Sequence, residues 1–557
     1  MRKNLILSLS ALSILALTSC SKLGALSADN FVVTPNPLET QAGQVPATIN
    51  GTFPEKYMKK KAVVTVTPEL RYGNGQVTRA AGTTFQGEKV QGNDQTVSYK
   101  MGGHYTMKAT FPYVDAMQKS DMYLTFNARI GKRTVEVPAV KVANGVIATS
   151  ELYKKTMMNA GACIAPDTFQ RVNAKKQEAN VKFLINQANL RKSELKNNSV
   201  AEFVNLLKRI NADKEGLAIK NVEVQAYASP EGGFAYNDKL ASKRQNVSED
   251  YVKKTLKETK VDADIDAKYT AQDWEGFQQL VQASNIQDKD VILRVLSMYK
   301  DPQEREQQIR NMSAGFRELA DGILPELRRS RMIINYETIG RSDEQIKAQL
   351  AADPSKLSAD EILYAASLTD DEKVKEDIYK TAAKQYPADY RALSNIAALE
   401  FNKGNVGEAR NYIQRAFNVS SKAPEANANL ALMALQSGDI KKATDYVSKA
   451  TGANGLDQVL GNLEIAKGNY AQAEQYFKDS NNNSAALANI LNKNYAQASV
   501  ALKYAKEDAM TNYLQAILNA RQGKNAEAAQ WLQKALKLDS SLKAYANNDL
   551  ELLNVNK

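Results

Sequence analysis

From about residue 358 onward, the same small residues return at a fixed interval. Gly404, Ala409 and Ala416 recur as Gly438, Ala443 and Ala450, each displaced by 34 positions. Gly468 with Ala473, and Gly523 with Ala528 and Ala535, repeat the pattern, and a shorter unit surrounds Tyr495-Ala496-Gln497-Ala498. A period of this length excludes a single closed core. Each unit is a helix pair that cannot bury its apolar face alone, so the units must stack into an array. Glycine suits the tight turn between two helices because it reaches positive φ without a Cβ clash. The alanines let neighbouring helices approach, while Leu393, Ile396, Ile413, Leu430, Val447, Leu460, Phe477 and Leu532 supply bulk between them. The spacing predicts about five stacked units, begun by a helix pair over 361–368 and 373–385 that ends at Pro387.

This pattern resembles the tetratricopeptide repeat. The resemblance implies an all-α solenoid over 345–557 that holds a partner protein in a concave groove lined by the first helix of each unit. On the family's offsets Arg391, Ser394, Ala398 and Phe401 face inward in one unit, and Glu425, Ala428, Leu432 and Leu435 in the next. That mixture suits a peptide or a helix better than a polyanion. Simple packing of Phe401 and Leu432 within the array is the competing reading.

The other end of the chain bears on compartment. Arg2 and Lys3 precede an apolar run over 5–17, which is too short for a permanent membrane span and reads as a secretory leader, 1–19. Leu17-Thr18-Ser19-Cys20 resembles the bacterial lipobox. The resemblance implies that Cys20 is acylated and becomes the mature N-terminus, with 20–29 as a linker. Each buried CH₂ of such chains contributes about 0.8 kcal/mol of membrane affinity. An ordinary leader with an incidental cysteine is the alternative. Ser21-Lys22-Leu23-Gly24 lacks the Asp associated with inner-membrane retention and the acidic cluster that resembles the surface-export signal of Bacteroidota lipoproteins. The expectation is therefore an outer-membrane lipoprotein facing the periplasm, with no later span.

Scarce residues exclude much chemistry. Cys20 and Cys163 are the two cysteines, so lipidation of the first leaves no internal disulfide. His104 is the single histidine, and a zinc site of the usual His/Cys kind cannot be assembled. A Ser-His or Cys-His nucleophile would need His104, which alternates with Tyr105, Met107, Ala109 and Phe111 and so falls on the outward face of a strand. There is no P-loop and no Gly-x-Ser-x-Gly. Carboxylate-only glycosidase chemistry stays formally open, because 62 acidic residues always permit a pair. Lys plus Arg number 73, a formal charge of +11 that becomes +9 without Arg2 and Lys3. That mild excess comes with no basic block interleaved with aromatics, and nucleic acid is not an expected partner.

Between the two ends lie two further regions. Over 30–155, Val64 and Val66 alternate with Thr65 and Thr67, and Met122, Leu124, Phe126, Ala128 and Ile130 alternate with Tyr123, Thr125, Asn127 and Arg129. Period two marks half-buried strands. Asn74-Gly75 fits a type I′ turn and Gly131-Lys132 a type II′ turn, which predicts an all-β, immunoglobulin-like sandwich acting as spacer or docking module. Pro35-Asn36-Pro37 resembles the entry of a bacterial surface β-domain.

Over 177–340 strand and helix alternate, with strands at 181–185, 222–227 and 332–334 and helices at 200–210 and 236–257. Ala226-Tyr227-Ala228-Ser229-Pro230-Glu231-Gly232, followed by Asn237, Leu240, Arg244 and Val252, resembles the OmpA-like peptidoglycan-associating domain. The basic Arg328-Arg329-Ser330-Arg331 resembles that family's closing segment. The resemblance implies an α+β fold interrupted by an insertion over 261–324, which reads as helical. Trp274, Phe277, Leu280 and Val281 share one face there, and Pro302 suits a first helical turn. In the family an Asp and an Arg grip the ammonium and carboxylate of diaminopimelate, through charge-assisted hydrogen bonds of about 1.5–3 kcal/mol each. Here Ser229 stands in the place of the Asp and Arg244 keeps its spacing, while Glu231, or less well Asp238, could restore the charge. The implied site is a degenerate wall pocket of Ser229, Glu231, Asn237 and Arg244.

The combined expectation is a non-enzymatic, cofactor-free lipoprotein serving as scaffold or adaptor in an envelope assembly of secretion or outer-membrane biogenesis type. A direct peptidoglycan tether and a surface-exposed adhesin or glycan-capture protein are the alternatives.

Overall fold

The computed structural model describes residues 22–555, apart from 160, 287–288, 312–317 and the side chain of 309; the leader and Cys20 lie outside the described residues. The fold divides into two compact units. One runs through Asp167 and resumes at Leu357, and the other is Thr168–Lys356. The three regions read from the sequence thus become two, because the β-rich region and the helical array share a unit.

The β-rich part of the first unit has two main sheets over one core. In the smaller, Gln44–Phe53 pairs antiparallel with Phe31–Thr34 on one side and Gly103–Pro112 on the other. The larger, seven-stranded sheet is centred on Ala62–Tyr72 and Ser120–Ile130. Alternation sets the burial. Tyr105, Met107, Ala109 and Phe111 enter the core with Val64, Val66, Met122 and Leu124, whereas His104 is exposed, its Nδ1 2.9 Å from the Thr52 hydroxyl. Each large apolar side chain so buried contributes about 1.5–3 kcal/mol. One turn differs from expectation. Tyr72 pairs with Gln76, so the loop is the three residues Gly73-Asn74-Gly75, with positive φ at both glycines and not at Asn74. Gly131, at φ +62°, opens the two-residue turn before Arg133–Val135 as expected.

Among the described residues the helical array holds six pairs: Ala359–Ser367 with Glu372–Gln385, Tyr390–Asn402 with Val406–Val419, Pro424–Gln436 with Ile440–Val447, Leu456–Ala466 with Tyr470–Tyr476, Asn483–Leu491 with Tyr495–Tyr504, and Ala509–Arg521 with Asn525–Leu538. Leu542–Asn548 follows the last pair. Gly404, Gly438, Gly468 and Gly523 occupy the turns at positive φ, and in the short unit Lys493 takes that conformation at +62°. Ala409, Ala443, Ala473, Ala498 and Ala528 are fully buried where the helices touch.

The second unit is a four-stranded sheet in the order Val172–Lys182, Arg329–Ile339, Leu217–Tyr227, Asp264–Thr270, with only the last pair parallel. Helices Asn198–Ala212 and Phe234–Thr259 contribute Val200, Phe203, Leu207, Val252 and Leu256 to its core. Three expectations change here. The first strand begins at Val172, not at 181, and Leu184 and Ile185 lie exposed beyond its end. Its polar run is held by cross-strand partners such as Arg331, whose Nε donates to Glu178 over 2.8 Å. The strand expected at 332–334 is eleven residues long and internal, and it includes Arg329, Ser330 and Arg331. Finally, the stretch read as a wholly helical insertion opens with the edge strand Asp264–Thr270, whose Ile265, Ala267 and Tyr269 alternate with charged residues. Helices Trp274–Ala283, Lys289–Met298, Pro302–Asn311 and Leu324–Leu327 follow, with Phe277, Val281, Ile292 and Leu296 in a small core of their own. Among the described residues no helix is long and apolar enough to cross a membrane.

Candidate functional site on the inner helices

The residues expected to line an open groove are not open. Ser394, Ala398, Phe401, Glu425, Ala428, Leu432 and Leu435 are all buried, and the Arg391 side chain is 16% exposed. Part of the cover comes from residues 148–167 of the same chain. Leu152, Tyr153, Met157 and Cys163 join one continuous core with Phe401, Ala428, Leu432, Leu435, Leu487 and Leu514. Thr149–Leu152 and Tyr153–Thr156 are short helical turns, and 161–167 has no regular secondary structure.

Polar contacts fix the path of this segment. The Thr149 hydroxyl donates to Glu551 at 2.8 Å, and Glu551 is in turn ion-paired to Arg521. The hydroxyls of Thr156 and Ser484 lie 3.3 Å apart, and the Asn159 amide donates to Asp508 at 2.7 Å. Two clamps then grip the main chain. The Cys163 N–H donates to Asn429 Oδ1 at 2.7 Å, and Asn429 Nδ2 donates back to the Cys163 carbonyl at 2.8 Å. Ala165 is held the same way by Asn395, at 2.7 and 3.0 Å. Arg391 donates to the Asp167 carbonyl at 2.8 Å while ion-paired with Asp360 and Asp389. The segment therefore runs from the last helices of the array toward the first.

The clamp geometry follows from elementary stereochemistry. In an extended chain the N–H and C=O of one residue leave from the same edge, and those of the next residue leave from the opposite edge. A carboxamide carries an acceptor and a donor side by side, so one Asn can satisfy both groups of one residue. Asn395 and Asn429 are 34 positions apart, one per repeat, and hold residues two apart on the segment. Burial and the nearby Glu425 charge push the Cys163 thiol up to about 12, which keeps it protonated.

Sequence reasoning named Arg391 and missed the two asparagines. Their signal was present, since an identical polar residue recurs at the repeat period, Asn395 and Asn429 being 34 positions apart.

In the second unit Ser229, Glu231 and Asn237 bond one another, and Arg244 is held by carbonyls outside that group. Asn237 Nδ2 donates to the carbonyls of Ser229, Glu231 and Gly232, which fixes the turn. Ser229 donates to Glu231, which pairs with Arg328 at 2.7 Å. Arg244 is 1% exposed, stacks over Phe183, and donates to the carbonyls of Tyr227, Gln187 and Leu184 at 2.8, 3.0 and 3.3 Å. Burial, reinforced by Arg328, pushes its guanidinium down to about 10. A ligand carboxylate would have to displace these three carbonyls from the guanidinium. The cavity beside Glu231, lined by Pro230, Trp274 and Phe277, has room for about 20 Å³, little more than one water. Asp238 lies half-buried beside Asn237. Among the described residues no group of acidic, histidine and cysteine side chains could hold a metal.

The tetratricopeptide repeat family matches at residues 400–457 and 496–543, so these stretches of the array are tetratricopeptide repeats, a module of protein interaction. Among solved structures, a tetratricopeptide repeat protein of Parabacteroides merdae is similar at 16% identity and a TM-score of 0.27, over 38% of this chain and 91% of that one. PilF of Pseudomonas aeruginosa is similar at 15% identity and a TM-score of 0.25, over 37% and 97%. Yeast Tom70 is similar at 11% identity and a TM-score of 0.23, over 65% and 84%. No curated protein sequence matches the chain.

Proposed function

We propose that the protein is a membrane-tethered scaffold, an outer-membrane lipoprotein facing the periplasm whose tetratricopeptide repeats hold protein partners in an envelope assembly. The observation that carries this reading is the pair of buried asparagines, Asn395 and Asn429, each fitted to both main-chain groups of an extended residue. The lipid tether is supported by Leu17-Thr18-Ser19-Cys20. The order strand, helix, strand, helix, strand, with Asn237 and Arg244 on the second helix, supports an OmpA-like origin for the second unit. With its polar groups turned inward, that unit acts as a docking body and not as a wall tether.

The test is crosslinking in intact cells, followed by affinity recovery from gently solubilised envelopes. The scaffold reading expects a defined set of proteins with the full chain and an acylated Cys20 peptide by mass spectrometry. Recovery of nothing beyond an untagged control, or an unmodified mature chain secreted freely, would overturn it. Pelleting of the chain with cell-wall sacculi would favour the tether instead.

A further inference from the structure

The stretch 161–167 behaves differently from the stretch just before it. Residues 149–157 insert large apolar side chains, Leu152, Tyr153 and Met157, among the later repeats. Beyond them burial alternates: Gly161, Cys163 and Ala165 are buried, while Ala162 and Ile164 are half-exposed. Every buried position is small, and both clamps hold main-chain atoms alone. Nothing in these contacts reads the identity of the segment beyond the size of every second side chain. Arg391 is fixed by Asp360 and Asp389 independently of the segment, so its contact to a passing carbonyl would survive replacement of that carbonyl.

We propose that residues 161–167 are a resident stand-in for a partner's peptide. The Asn395–Asn429 groove accepts an extended segment of another protein, with small residues at alternate positions, in exchange for this chain's own. The anchor at 149–157 stays seated during the exchange. This rests on the reading of the repeats as a partner-binding surface and names what that surface recognises. The mode is strand-like addition in which side-chain amides replace a sheet edge.

Cys163 reports the exchange directly, since it is the one remaining thiol in a full chain carrying Cys20→Ser. The measurement is its alkylation by iodoacetamide in native buffer. The probe ligand is a synthetic heptapeptide, Gly-Ala-Ser-Ile-Ala-Pro-Asp, which copies 161–167 with serine for the cysteine. The expected result is alkylation well below the urea concentration at which helical signal is lost, accelerated by the peptide to saturation. Asn429→Ala should raise the rate about twenty-five-fold, because each of two lost hydrogen bonds shifts opening about fivefold. Asn395→Ala should do the same. Alkylation that tracks only global unfolding and ignores the peptide would overturn the inference, making the segment a permanent part of the core. An exchanging Cys163 with no envelope partner recovered would leave this groove chemistry standing and remove the scaffold reading. Recovered partners with a Cys163 that never opens would do the reverse.

Discussion

Gly461 lies within the helix Leu456–Ala466, where the usual expectation is that alanine would improve the helix by about 1 kcal/mol. The neighbours of Gly461 reverse that sign. A Cβ at this position would stand 2.4 Å from Phe477 Cζ and 2.5 and 2.8 Å from the adjoining ring carbons. Ordinary carbon contacts begin near 3.5 Å, so the ring must retreat by about 1 Å. Phe477 is itself buried in the array core, so moving its ring disturbs packed neighbours. Overpacking of this kind costs about 1–3 kcal/mol. Gly461→Ala should therefore destabilise the first unit by about 1 kcal/mol net. In the Phe477→Leu background the obstacle shrinks, and the same change should stabilise by up to about 1 kcal/mol. The assay is urea unfolding of the four chains of this cycle, followed by helical circular dichroism, with an expected coupling of about 1–3 kcal/mol. Equal gains from Gly461→Ala in both backgrounds would refute the claim that close approach to the ring is what requires glycine.

Three further outcomes follow from the same structure. Lys493 holds the left-handed conformation at a turn where the other units carry glycine; Lys493→Gly should stabilise by about 0.5–1 kcal/mol, read as a higher urea midpoint. Arg244→Lys keeps the charge but loses the fork that reaches the carbonyls of Leu184, Gln187 and Tyr227 together. It should cost the second unit about 2–4 kcal/mol, followed by Trp274 fluorescence in a Trp531→Phe chain. Hydrogen bonds from Arg331 hold the Glu178 carboxyl below its ordinary 4.5, so this contribution is present above pH 4.5 and is lost as the pH falls through the lowered folded value. Glu178→Gln should flatten that part of the acid limb in urea midpoints measured against pH, at a neutral-pH cost of about 1 kcal/mol or less.

What could be read from the sequence divides along physical lines. The repeat array was legible because glycine at its turns supplies positive φ and alanine at its helix contacts supplies small size, both returning at a 34-residue period. The first pair, expected over 361–368 and 373–385, falls at Ala359–Ser367 and Glu372–Gln385. The strands bearing Val64, Met122 and Tyr105 were legible from alternation against one core. The strand at Val172 was not, because its polar residues are satisfied by Arg331 and other partners more than a hundred positions away. Arg244 was placed on the right helix, yet two of the three carbonyls that occupy it come from the loop at Leu184 and Gln187. The groove residues were named by helical offset. That offset shows which way a side chain faces and not what already stands in front of it. Leu152, Tyr153 and Met157 span too few positions to show a period, and their hosts lie hundreds of residues downstream.

That last separation sets a schedule. Thr149 bonds Glu551, 402 positions later, and Asn159 bonds Asp508, 349 later. A ribosome adds about 5–20 residues per second, so roughly 20–80 s pass between the emergence of the segment and that of its final host. The β-sheets can close from neighbouring sequence in that interval, but their apolar tail has nowhere to go until the helices over 424–491 arrive. A circular permutant that places the repeats ahead of the sandwich would make the same contacts without the wait.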